Sequence, residues 1–289
     1  MKSSILIFIS LIAASLSAAT LPEDHFLFPR DREVLWISGI EEVVSFNDLR
    51  ALAKQCKIVR EFDSCLWIEN FKQAHIQTFD SLQLNEQIVF LGERHIDPTH
   101  QAALNDIIHK NDFNVLALEM MNQSDQFFLD QYLRDEISLE DLKIVFALGW
   151  NYSNTGYMKV IESAKKKGMK ILALDNRPLY DRENFSENLR KRDEFMAGVL
   201  NQYLSAHPQD RILVYSGKMH AFKSHSSSDT IKSISELVKV QDKASYFLFG
   251  PKEKNVMTYS LKLFVESEQS IVIKSDSFNE YIDGAIFIK

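Results

Sequence analysis

Only two cysteines, Cys56 and Cys65, occur in 289 residues, so no dense disulfide framework holds this chain together, and neither lies near a histidine pattern of zinc-site spacing. Positive charge is scarce as well. The 33 lysines and arginines are outnumbered by 40 acidic residues, a net charge of −7, and no basic block is interleaved with aromatics, which excludes nucleic acid as a natural partner. Tandem repeats and low-complexity stretches are absent. A long apolar run occurs only near the amino terminus, from Ile5 to about Ala14. It is short for a permanent span and polar sequence follows it from Pro22, so it predicts an export signal rather than a transmembrane anchor.

Small residues at Ser15 to Thr20 supply a cleavage site after Ala19, so residues 1–19 are read as a signal peptide. No cysteine follows the apolar run to accept a lipid. The expectation is an exported protein, periplasmic or secreted, with Cys56 and Cys65 free to pair in an oxidising compartment for about 2–3 kcal/mol. Apolar residues make up 45% of the chain, ample for one large core. Residues 20–84 read as an N-terminal extension. Within it Glu33 to Val44 alternates like a hairpin, and Phe46 to Lys57 reads as a helix capped by Ser45.

What stands out is one pattern written twice. Gly92-Glu93-Arg94-His95 and Gly217-Lys218-Met219-His220 are both Gly-x-x-His, and each follows an apolar run of strand character, Ile88 to Leu91 and Ile212 to Tyr215. With nine glycines and eight histidines, random order gives about 0.25 such matches. Glycine accommodates a sharp turn at a strand end, and the histidine beyond it leans over the carboxyl end of the strand, where ligands bind in open α/β sheets.

Residues 85–289 read as an α/β domain with a mostly parallel central sheet flanked by helices. Helices are expected over Thr99 to Lys110, Ser124 to Arg134, Leu139 to Leu148 with Ser138 as cap, Tyr157 to Lys167, Ser186 to Ala206 and Ser228 to Val238. Strands are expected at Val115 to Leu118, Lys170 to Leu174 and Ala244 to Phe249. The stretches Met257 to Val265, Ile271 to Lys274 and Ala285 to Ile288 suggest further edge strands. The Lys165-Lys166-Lys167 run reads as the solvated end of a helix that Gly168 stops.

Polar residues then converge on one rim: Glu93 and His95, Glu119, Asp175-Asn176-Arg177, and His220. Glu119 emerges directly from a buried strand and needs a partner, unless it opens a helix as a first-turn charge. His95, Glu119 and His220 are ligand types for a divalent transition metal. Glu93, His95, Glu119, Arg177 and His220 equally suit metal-free hydrolysis, with a histidine as base. His75, His100, His109, His207 and His225 read as surface or packing residues.

The chain resembles ChaN-type haem-binding uptake proteins, in the wider superfamily of Tiki metalloproteases, TraB-like proteins and erythromycin esterases. The resemblance is carried by Leu91 to His95 with His100, Leu118-Glu119-Met120, Gly149-Trp150-Asn151-Tyr152, Tyr157 to Ala164 and Gly168 to Asn176 with Pro178. Arg192 to Ala197 and Gly217 to His220 complete it. It implies an α/β domain that binds haem or a related iron-bearing ligand on a homodimer for iron acquisition, with Tyr152, Tyr157, His95 and His220 as cofactor-binding candidates; a phenolate suits ferric iron. It also implies an alternative, a metal-dependent or histidine-and-glutamate hydrolase acting on peptides or esters. A third reading is a partner-binding protein whose polar rim only holds loops.

Overall fold

A computed structural model describes residues 75–95, 97–150, 155–176, 185–223, 232–250, 270–274 and 282–289. The signal segment, the expected hairpin and helix before residue 58, both cysteines, Tyr152, Arg177 and the stretch 257–265 lie outside them.

The strands are β1 (His75–Thr78), β2 (Ile88–Glu93), β3 (Val115–Asn122), β4 (Lys170–Asp175), β5 (Ile212–Gly217), β6 (Lys243–Phe249), β7 (Ile271–Lys274) and β8 (Gly284–Phe287). The helices are α1 (Pro98–Lys110), α2 (Gln126–Leu133), α3 (Leu139–Gly149), α4 (Thr155–Lys166), α5 (Phe185–Ala206) and the short α6 (Ile234–Leu237). The strands form one sheet in the order β1-β7-β8-β6-β2-β5-β3-β4. Six of them, β8 to β4 in that order, are mutually parallel, while β7 runs antiparallel between β8 and β1.

The parallel strands are buried on both faces, which is why they read as continuous apolar runs. Alternate residues feed two cores. Val89, Leu91, Leu116, Leu118, Leu213 and Tyr215 join α1 and α4 on one face. Ile88, Phe90, Val115, Ala117, Ile212 and Val214 join α5 and α6 on the other. The faces follow from crossover handedness. Connections running from β2 towards β4 cover one face, and those returning through β5 to β6 cover the other, as right-handed crossovers require.

Local sequence explains the helix ends. Asp97 caps α1 by accepting from the Thr99 amide at 3.0 Å, and Ser138 and Asp141 form a reciprocal capping box on α3. Gly168, at φ 75°, closes α4: its amide bonds to Lys165 O and that of Met169 to Ala164 O, both at 2.9 Å. The neighbouring lysines are not simply solvated. The Lys165 ammonium donates to Tyr132 O and Asp135, and that of Lys167 to the carbonyls of Ile108 and Asn111 at the end of α1. At the sheet edge, the Gln126 side chain bonds to the β4 backbone like a strand, accepting from Ala173 N at 2.7 Å and donating to Ile171 O at 2.8 Å. This covers part of an edge otherwise open to pairing.

Three details differ from the sequence reading. β1 belongs to the sheet as its outer strand against β7, so residues 75–78 are part of the α/β domain and not of the N-terminal extension expected over residues 20–84. β7 and β8 are consequently interior strands. Of the helix expected over Ser228 to Val238, the described part is the single turn Ile234–Leu237.

Candidate functional site

Four neighbouring strands, β2, β5, β3 and β4, deliver polar side chains to one carboxyl edge, and the alternation of strand residues divides them between the two faces. Glu93, at the end of β2, faces α1 and α4. Its Oε1 lies 2.8 Å from His95 Nδ1 and accepts from the Tyr157 hydroxyl; its Oε2 accepts from Gln101 Nε2 at 3.0 Å and from the Tyr215 hydroxyl. The Trp150 indole meets the His95 ring edge-on, at 4.8 Å between centroids and 89° between planes.

Glu119 faces α5 on the other side of the sheet. It is a residue of β3, not the first charge of a helix. Its Oε1 accepts from Arg192 Nη2 at 2.7 Å and lies 3.2 Å from His220 Nε2, while its Oε2 accepts from the Gly217 amide at 2.6 Å. Arg192 also grips Asp175 with two bonds, at 2.9 and 2.8 Å. Its fork geometry suits a carboxylate in a way that an ammonium would not. His220 Nδ1 lies 2.5 Å from Asp193 Oδ1.

The two clusters meet at Gly217. A Cβ there would lie 3.0 Å from His95 Nε2 and 3.5 Å from Glu119 Oε2. The other motif glycine is reciprocal, since a Cβ on Gly92 would lie 3.0 Å from Lys218 Cα and 2.9 Å from the Phe247 ring. Each glycine thus makes room for the other copy of the pattern. This corrects the turn argument: Gly217 has φ −59° and ψ 148°, ordinary extended backbone that any residue adopts, and what it supplies is close approach. Gly217→Ala is expected to displace the His95 imidazole from its Glu93 partner, read as a change in the His95 ring resonances, while the histidine signals of a Gly198→Ala control, where a Cβ meets nothing within 4 Å, stay in place.

The charges are mutually adjusted. Burial pushes the His220 imidazolium towards deprotonation, but Glu119 and Asp193 on its two nitrogens overcome this and raise its pKa to about 10. Burial also opposes the Glu119 anion, yet His220, Arg192 and His95 hold its pKa well below the usual carboxylate value. Asp193 is pushed up to about 6 by burial, against the pull of His220 and Arg192. For His95, burial works downward and is outweighed by the Glu93 hydrogen bond and the charges of Glu119 and Glu93, so its pKa is raised. With its side chain 22% exposed, against 5% for His220, His95 is the more open histidine.

The structure thus brings together Glu93, His95, Glu119 and His220. Tyr157 is buried and bonded to Glu93, and Asp175 joins the Arg192 cluster. His100 is buried and accepts from the Arg94 amide at 2.9 Å, bracing the first motif. Among the described residues, no group of three or more His, Cys, Asp or Glu is placed to hold a metal ion; Glu119 and His220 face each other and are gripped by Arg192 and Asp193. Arg192, Asp193, Gln101 and Tyr215 are the partners to which sequence reasoning gave no role at the site, although Arg192 and Asp193 stand in a block that carries the family resemblance. A signal existed for Asp193. It falls on the apolar stripe of α5 made by Leu189, Met196, Ala197, Leu200 and Leu204, where an unpaired charge does not belong.

Residues 82–180 match the family described as haem-binding uptake, Tiki superfamily, ChaN. This segment is ChaN-like. It contains Glu93, His95, Gln101, Glu119, Trp150, Tyr157 and Asp175, while Arg192, Asp193, Tyr215, Gly217 and His220 lie beyond it. Among solved structures, a mutant of the erythromycin esterase EreC in its open conformation aligns with a TM-score of 0.53 and 12% identity, over 70% of this chain and 90% of that one. A Bacillus cereus protein aligns with a TM-score of 0.51 and 9% identity, over 70% and 88%. These two share the fold. The ChaN of Campylobacter jejuni, whose structure shows cofacial haem binding, aligns at 16% identity and a TM-score of 0.44, over 71% and 89%. No curated protein matches the sequence.

Proposed function

We propose that this protein is exported and binds haem for iron acquisition, with the macrocycle resting on an apolar surface beside His95 and Trp150. One observation carries the reading: within the ChaN-like segment, α2 and α3 expose Phe127 (59%), Ile144 (63%) and Leu148 (86%). Ile144 and Leu148 share one face of α3 at i,i+4 spacing, and α3 ends at the Trp150 that abuts His95. Large apolar side chains exposed on one helix face, as Ile144 and Leu148 are, mark a binding surface. A haem slot needs this kind of lining with one or two polar ligands.

The Tyr157 hydroxyl is engaged by Glu93, which leaves Tyr152 as the phenolate candidate for ferric iron. Two copies facing each other through α2 and α3 would cover the same surface, so a homodimer belongs to the proposal. The test is titration of the mature protein with hemin, following the Soret and charge-transfer bands. Leu148→Glu is expected to weaken binding by about tenfold or more, since burying one leucine contributes about 1.5–3 kcal/mol. Unchanged affinity would remove the surface from the site.

A second reading is favoured by the polarity of the rim. With Nδ1 on Glu93 and Nε2 beside Gly217, His95 has the arrangement of a general base, and the cationic Arg192 and His220 lie beside it through Glu119. Such a centre suits metal-free hydrolysis of an ester or amide. Hydrolysis lost in His95→Ala with hemin affinity unchanged would transfer the assignment to catalysis.

A further inference from the structure

Glu93 is a buried carboxylate with four donors around it, two of them phenols from different elements: Tyr157 on α4 reaches Oε1 and Tyr215 on β5 reaches Oε2. We propose that Tyr157 and Tyr215 form a two-phenol clamp on Glu93 that selects the Nδ1–H tautomer of His95 and turns its Nε2 towards Gly217. The clamp deepens the reading of His95 as the working imidazole of this edge and rests on it.

Donors and acceptors fix the arrangement. A carboxylate only accepts, so each of its partners must donate. A phenol has a single proton to give, and both spend it on Glu93. Gln101 Nε2 shares Oε2 with Tyr215, and His95 Nδ1 shares Oε1 with Tyr157. The carboxylate is therefore held from both sides in one orientation, with one remaining direction filled by the imidazole. His95 Nδ1 must carry its hydrogen to complete the set, which places the lone pair of the neutral ring on Nε2. That nitrogen is the one a Gly217 Cβ would meet at 3.0 Å. Such a carboxylate–imidazole pair fixes tautomer and ring orientation together.

The aromatic packing supports a built device. The Tyr157 and Tyr215 rings lie 6.2 Å apart and Tyr157 meets Trp150 edge-on at 5.9 Å, so phenols, indole and imidazole form one contiguous layer under the edge. Burial and the Glu93 charge raise both phenol pKa values, which keeps both protons in place. Tyr157 and Tyr215 are accordingly positioning residues. They act on His95 through Glu93, and neither is assigned to iron.

The test needs no substrate. Long-range proton–nitrogen correlation spectra of the uniformly ¹⁵N-labelled protein, recorded at alkaline pH, report which ring nitrogen of neutral His95 is protonated. The wild type is expected to show Nε2 without a proton. The double variant Tyr157→Phe, Tyr215→Phe frees the carboxylate to swing, and at least a tenfold change in the tautomer ratio towards Nε2–H is expected; Tyr132→Phe, a phenol outside the site, should leave it unchanged. If the double variant fails to fold, Tyr215→Phe alone is expected to show a measurable Nε2–H population. A folded variant lacking the phenols in which His95 remains wholly Nδ1–H overturns the clamp. So does a hemin complex whose phenolate charge-transfer band disappears in Tyr157→Phe. A confirmed tautomer change in a protein that neither binds hemin nor hydrolyses esters would remove the functional reading of His95 and leave the clamp standing.

Discussion

Arg192→Met is expected to lower the unfolding free energy by about 3–5 kcal/mol, a large fraction of the stability of an ordinary domain. The arginine is the shared counter-ion of two buried carboxylates, Glu119 and Asp175, which reach the same sheet edge from adjacent strands β3 and β4. Its side chain is 13% exposed and theirs 2% and 0%, so water cannot take its place. Methionine fills much of the volume but removes the one cation that Glu119 and Asp175 share. The triple variant Arg192→Met, Glu119→Gln, Asp175→Asn removes the charges with their partner and should recover much of the loss, because breaking a buried ion cluster costs more than deleting it. Urea unfolding of the three proteins decides the matter. A single-variant loss below about 1 kcal/mol would mean that Arg192 behaves as a surface ion-pair residue.

That cluster also shows where sequence reading stops. Strands β2, β3, β4 and β5 were legible because parallel strands buried on both faces leave uninterrupted apolar runs, and their polar ends therefore stood out. Glu93, His95, Asp175 and His220 sit at or just past such ends, and Glu119 follows the apolar run Val115 to Leu118 within β3. Arg192 sits within a helix, where a charge ordinarily means a solvated face, and the place of Asp193 on the apolar stripe of α5 marks it as buried without naming its partner. Only packing reveals that α5 crosses the sheet with these two residues directed at Glu119 and His220. The purpose of the glycines was hidden for a related reason. Their spacing is a sequence property, but their function is an approach between motifs 125 positions apart, and that depends on β2 and β5 lying side by side in the register Glu93 to Gly217. The edge of the sheet escaped sequence reading because β1, His75-Ile76-Gln77-Thr78, carries a single apolar residue, too little for an apolar run or an alternation to register.

The second large effect is a fall in stability with rising pH that His220 alone should carry in greatest part. In the unfolded chain its imidazole titrates near pH 6.5; in the folded protein Glu119 and Asp193 on its two nitrogens, working against burial, raise this to about 10. Between those values the folded state keeps a proton that the unfolded state has released, so unfolding becomes easier as pH increases. The contribution is complete below about pH 6.5 and is lost as pH rises through about 10, with a limiting slope of about 1.4 kcal/mol per pH unit for one proton. Asp193, raised by burial to about 6, is still below neutral pH, so the His220–Asp193 pair is ionic across this window. Glu119 has the opposite sign: its depressed pKa gives stability present above the ordinary carboxylate range and lost only in acid. His95 is raised as well and adds a smaller slope of the same sign as His220, which makes the comparison of variants the measurement. Urea unfolding from pH 6.5 to 9.5 should show most of the slope removed in His220→Gln and most of it retained in His95→Gln. Equal slopes in the wild type and His220→Gln would mean that His220 is not the imidazolium holding Glu119 in place, and the division between an anchored His220 and an open His95 would fall with it.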